Sequence, residues 1–274
     1  MNFLAVTIFH REPQALFALP LPLILSLGLG MYGMLELGLR IGKSHLRSGR
    51  GKILDTLGVI DGPIFALFGL LIAFTFSSAL TRFDERRKLI VEEANDIGTA
   101  YLRLDLLPVA DQEPLRNLFR NYIDSRIRTY ELIPDMKAAL GEYERTQILQ
   151  TEIWNEATQS VAKSPTTLSG MQLLPALNSM IDITNTRTAV LQFHPPVVIY
   201  GMLLVMALVS ALLVGYQMAT FEKRSWLHIV LFIISITLTC YVILDIEYPR
   251  MGLIRVDAVD GVLRDVREGI RPKK

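Results

Sequence analysis

Residues 57–108 read LGVIDGPIFALFGLLIAFTFSSALTRFDERRKLIVEEANDIGTAYLRLDLLP. From Leu57 to Leu80 the run is apolar and long enough to cross the roughly 30 Å of bilayer hydrocarbon. From Thr81 it turns polar and amphipathic, with no proline or turn signal before Pro108. The stretch is therefore expected to form one helix that leaves the membrane and continues, on the order of 75 Å long at 1.5 Å per residue. Pro63 falls near its start, where a helix tolerates proline best.

The rest of the chain is arranged about this helix. Three further runs, 16–39, 197–219 and 227–246, have spanning length and composition. The expected fold is an all-α integral membrane protein with two transmembrane hairpins and a helical extramembrane domain inserted between spans 2 and 3. Its parts are an N-terminal hairpin (1–80), the helical domain (81–194), a C-terminal hairpin (195–246) and a C-terminal segment (247–274) with a short amphipathic helix. The first run has no small-residue cleavage site and is expected to be retained as a span.

Composition agrees with that class. Of the 274 residues 51% are hydrophobic, and the formal net charge of +1 gives no basic excess for nucleic acid. The lone cysteine, Cys240, excludes an internal disulfide framework and a cysteine zinc site. GLGMYG at 28–33 matches the dinucleotide fingerprint in letters, but no strand precedes it, so small residues for helix packing are the better reading. No GxSxG, Walker A or HExxH motif occurs, and His10, His45, His194 and His228 lie near span ends, so no enzyme, cofactor or metal is expected.

Two stripes divide the second span. Gly62, Ala66, Gly69, Ala73 and Ser77 make a small face suited to tight packing in lipid, and Ala207, Ala211, Gly215 and Ala219 repeat it on the third span. The two central spans are thus expected to make the tight contact, within or between subunits. Phe65, Phe68, Ile72 and Phe76 make the other stripe, with Thr75 and Ser78 beside it and Arg82 and Arg86 at its end. Read as a pore, apolar rings gate by dewetting and a cationic mouth concentrates anions; read blandly, the aromatics fill the bundle or face lipid.

Between the hairpins an apolar stripe at Ile90, Ala94, Ile97, Tyr101 and Leu104 opposes a polar one at Glu92, Asp96, Thr99 and Arg103. Further helices are expected from Asp111, as N-cap, to Ile133, from Pro134 and Asp135 to about Ala162, and from Met171 to Phe193. Val259, Val262, Leu263 and Val266 mark the C-terminal amphipathic helix, expected on the middle domain or the membrane surface. Charged residues at membrane depth call for partners, so Glu36 is paired with Arg40, and Asp245 with an arginine of the basic cluster or with Arg250. Glu92, Asn95, Asp96 and Arg103 are expected to face Asn178, Asp182 and Arg187 in a buried polar network, preferred over a calcium site because EF-hand spacing is absent.

Short loops set the orientation. Arg40, Lys43, Arg47, Arg50 and Lys52 in one, and Lys223 and Arg224 in another, place those loops in the cytoplasm and the helical domain in the periplasm. Arg82, Arg86, Arg87 and Lys88 argue the reverse.

FGLLIAFTFSSALTRFDERRKLIVEEANDIGTAYLRLDLLP, LNSMIDITNTR, the prolines at 195 and 196, and LDIEYPRMGLIRV resemble a bacterial family of four-span, bestrophin-like membrane proteins of the inner membrane. The resemblance implies a homo-oligomer, pentameric by analogy, with a central pore for anions such as chloride lined by the second span. Bestrophins follow their last span with an acidic calcium clasp, and here only Asp245 and Glu247 stand in that place. The bestrophin layout also puts the middle domain in the cytoplasm, against the loop charges. A rival from another class is a membrane-anchored sensor or scaffold whose helical domain binds a partner or small ligand, with no conduction. A transporter ranks third, because no matched pair of spans is interrupted at mid-bilayer.

Overall fold

The computed structural model describes residues 20–48, 52–133, 135–191, 193–248, 253–254 and 257–270. Among them every regular element is helical. In chain order these are α1 (Pro20–Arg47), α2 (Lys52–Leu102), α3 (Val109–Glu131), α4 (Met136–Lys163), α5 (Leu168–Val190), α6 (Val197–Gln217), α7 (Trp226–Glu247) and α8 (Asp257–Gly269), with short 3-10 turns at Arg103–Leu106 and Met218–Thr220. Four stretches are long and apolar enough to cross a membrane: Pro22–Arg47, Ile60–Leu106, Val197–Thr220 and Trp226–Glu247. The chain is a membrane protein.

The central helix forms as its sequence dictates. α2 is one helix of 51 residues, unbroken through Thr81–Arg87, and Pro63 lies inside it rather than at its start. Pro63 lacks an N–H, which costs one intrahelical bond without ending the helix, as is common in lipid. α1 runs on past Leu39 to Arg47, so Arg40, Lys43 and Arg47 sit on its last turns instead of in a loop. Asp111 is not the cap of α3. Pro108 holds that position, and Asp111 instead accepts a hydrogen bond of 2.8 Å from Ser160 Oγ of α4. Asp135 does cap α4, accepting from the Ala138 N–H at 3.1 Å.

The chain divides into two compact units. Of the described residues, one holds those from Pro20 to Arg82 together with those from His194 to Leu253; the other holds Phe83–Phe193 and those from Ile254 onward. In the first, Met31 and Leu35 of α1, Phe68 of α2, Leu203, Ala207 and Ala211 of α6 and Ile229 of α7 form the core. α1 packs along α6 and, over a shorter stretch, on α7. The reason is a set of glycines where backbones touch. A Cβ added at Gly215 of α6 would overlap the Leu35 carbonyl of α1, one at Gly38 would overlap the Leu212 carbonyl, and one at Gly42 would lie 2.6 Å from Ala219 Cβ. The tight contact therefore joins spans 1 and 3. Within the protomer the expected pairing of the two central spans does not form, since nothing stands within 4 Å of a Cβ added at Gly62 or Gly69 of α2.

The second unit is built on Ile97 and Ala100 of α2, Leu104 of the 3-10 turn after it, Leu115, Phe119 and Ile123 of α3, Leu149 and Ile153 of α4, and Leu173, Leu177 and Met180 of α5. α8 lies on this unit, with Leu263 fully buried. Arg267 pairs with Asp124 at 2.7 Å and Arg264 with Glu131 at 2.7 Å.

Candidate functional site

On α2 the bundle-facing and open faces do not divide as the aromatic stripe suggested. Phe68 is 4% exposed in the first unit's core and Ile72 packs against it. Thr75 is buried and donates to the Leu71 carbonyl at 2.7 Å, satisfying its hydroxyl within the helix. Within the protomer Phe68 and Thr75 are thus buried and Ile72 is half-buried. Phe65 is half-buried, and Phe76 and Ser78 are exposed. The open arc of α2 instead carries Gly62, Ala66, Gly69, Ala73, Phe76, Ser77 and Leu80. At 100° per residue these fall within about a third of the circumference.

The two arginines placed at a mouth are both engaged. Arg82 donates through Nε and Nη2 to both carboxylate oxygens of Glu247, at 2.7 to 3.1 Å. Glu247 is fully buried and also meets His194 Nδ1 at 3.0 Å, while the His194 ring stacks on Tyr248 with centroids 4.8 Å apart. Arg86 is 5% exposed and donates to the Phe193 carbonyl at 3.3 Å. Glu247 is thus a carboxylate that takes an arginine of the basic cluster. Asp245 accepts from the Leu253 N–H at 2.9 Å. The Asp245–Arg250 alternative lies outside the described residues. Glu36 does pair with Arg40, at 3.7 Å, and also with Arg224. Asp61, buried at the other end of the span, accepts from Gln217 Nε2.

The polar network of the second unit turns on a residue that the sequence reading left out. Glu93 is fully buried; its Oε1 accepts from Arg126 Nε at 2.5 Å, and its Oε2 accepts from Arg187 Nη1. Arg126 Nη2 donates to Tyr130 Oη at 2.5 Å, and the Arg187 guanidinium lies 4.2 Å from the Tyr130 ring centroid. Burial works against the Arg126 charge, and the Glu93 carboxylate outweighs it, so the guanidinium stays protonated far above its ordinary range. Of the expected network only Arg187 belongs to this node. Glu92, Asn95, Asn178 and Asp182 are exposed, Asp96 is half-buried, and Arg103 donates to the Gln172 carbonyl at 2.5 Å. Glu93 was legible: it lies three residues after Ile90 and four before Ile97, within the apolar stripe.

Beside the node, the buried Tyr122 hydroxyl bonds Thr184 Oγ1 at 2.9 Å and accepts from Gln150 Nε2 at 3.4 Å. Burial pushes its pKa from 10.0 up to about 12. The folded state therefore holds this proton where the unfolded chain has lost it. Its contribution is intact below pH 10 and is lost as pH rises to 12, amounting to about 3 kcal/mol. Tyr122→Phe should remove that alkaline loss, at a cost near 1 kcal/mol at pH 7 from the missing hydrogen bonds. Unfolding midpoints of both proteins from pH 9 to 12 check this.

The model of the Bestrophin-like domain matches residues 38–260, from the last turns of α1 into α8, and the chain belongs to that family. No curated protein and no solved structure matches it.

Proposed function

We propose that the protein is a homo-oligomeric anion channel of the bacterial inner membrane, in which copies of α2 surround the conduction axis. The observation that carries this reading is the open small-residue arc of α2 in a family known as channels. Large apolar side chains suit lipid, and Leu67, Leu70 and Phe74 supply them on the neighbouring arc. Small residues mark close approach of helices, so the arc from Gly62 to Ser77 fits contact with a second copy, with Phe76 as the apolar constriction. A pentamer follows by analogy with bestrophins. Unit Phe83–Phe193 is then the extramembrane domain, in the periplasm by the loop charges, and continuous α2 carries its state toward the axis.

The packed positions of Phe68, Ile72 and Thr75 favour a second reading, a membrane-anchored sensor or scaffold that conducts nothing. Purified protein in liposomes separates the two. A channel for anions releases chloride faster than potassium, whereas release of neither ion from vesicles with a verified oligomer supports the scaffold.

A further inference from the structure

The outward half of α2 keeps one face clear of its own unit. Ala94, Ile97 and Ala100 enter the core shared with α3, α4 and α5, while Arg87, Lys88, Val91, Glu92 and Asn95 stay exposed. An apolar line runs along the open face: Val91 is 41% exposed, Gly98 has nothing within 4 Å of an added Cβ, and Leu102 is 69% exposed. These three lie within about 40° of one another on the helix surface. A lone exposed apolar residue means little, whereas a line of them along one helix suits a covered face.

The spacing is that of a heptad seam. Val91 and Gly98 take the d positions, and Asn95 and Leu102 the a positions, which puts Arg87 at g and Glu92 at the following e. Arg87 and Glu92 stand about 140° apart on the helix, one at each edge of the seam, so they do not reach each other within one chain. Within the chain Arg87 meets Asp84 at 3.5 Å with both side chains half-exposed, an arrangement worth little in water. A g residue meets the following e residue of a parallel neighbour, and opposite signs there set partner and register. The helix that offers a basic g and an acidic e at the required heights is α2 itself.

We infer that the open face of α2 beyond Phe83 is an interface with a second, parallel copy of this chain, in which Arg87 of one copy pairs with Glu92 of the next around the axis. This deepens the proposed function and rests on its reading of α2 as the helix about which copies assemble. Asn95, polar at one a position of a short seam, fixes the register at some cost in affinity.

The test uses the full chain with Cys240→Ser in lipid nanodiscs. Oxidation of the Arg87→Cys/Glu92→Cys variant should give a disulfide-linked ladder extending beyond the dimer, and each single cysteine variant little. No cross-linking, or a product that stops at the dimer, overturns the inference. Light scattering on the same samples separates the causes: an intact oligomer without the ladder refutes this contact alone, and a monomer refutes the assembly as well. Arg87→Glu and Glu92→Arg should each weaken assembly, by up to about fivefold per contact, and the double swap should restore it. A double swap as weak as the single variants also overturns the pairing, and if the swapped variants do not fold the ladder decides.

Discussion

Gly215→Ala is expected to destroy the packing of the membrane unit. The new Cβ would fall on the Leu35 carbonyl and its neighbouring backbone atoms, which no rotamer change relieves. Overpacking a core ordinarily costs about 1–3 kcal/mol, and that figure assumes side chains that can yield. Here two helix backbones must separate along α1 and α6, so the loss should exceed that range and appear as a failure to recover folded protein in nanodiscs. Gly69→Ala is the control, since nothing stands within 4 Å of its Cβ. It should leave the protomer's melting temperature unchanged. If the open arc of α2 contacts a second copy, the bulkier Gly69→Leu should change the oligomer on size exclusion without unfolding the protomer.

The second large effect is at Glu93. Glu93→Ala leaves Arg126 and Arg187 buried without the carboxylate that joins them. Removing one partner of a buried charge cluster costs roughly 3–5 kcal/mol, several times the value of an exposed pair. The exposed Arg264–Glu131 pair is a suitable comparison, and Arg264→Ala should shift stability by less than about 1 kcal/mol. Chemical unfolding of the variants with matched lipid separates the two classes. Equal effects at Glu93 and Arg264 would mean that the node is no more than a surface ion pair.

The chain shows plainly which features a sequence announces. Apolar run length placed the four spans, because the bilayer imposes a length that composition alone must meet. Continuity of α2 was legible for the same reason, since no breaker interrupts Thr81–Arg87. Periodicity found the small faces, but a period states only that residues share a face and not which helix covers it. Hence Gly215 was matched with the wrong partner, although Gly38 and Gly42, one turn apart, already marked the complementary face on α1. The aromatic stripe carries the same ambiguity: Phe68 and Ile72 are as suited to a bundle core as to a constriction, and within the protomer they pack with Met31, Leu35 and Leu203. Glu93 was missed because its register puts it among isoleucines, where an acidic side chain is not expected. Glu247 was passed over for Asp245, two residues earlier, since the order of carboxylates along a span end does not reveal which one a distant arginine reaches.

The account turns on which face of α2 meets the conduction path. Cys240 is the single cysteine, so a Cys240→Ser background permits cysteines at chosen positions, each challenged with a charged thiol reagent during chloride flux from liposomes. Ala73→Cys should lose most of its flux on modification, while Phe68→Cys, enclosed in the bundle, should keep it. Block at position 68 with none at 73 would contradict the assignment of the open arc as the channel wall.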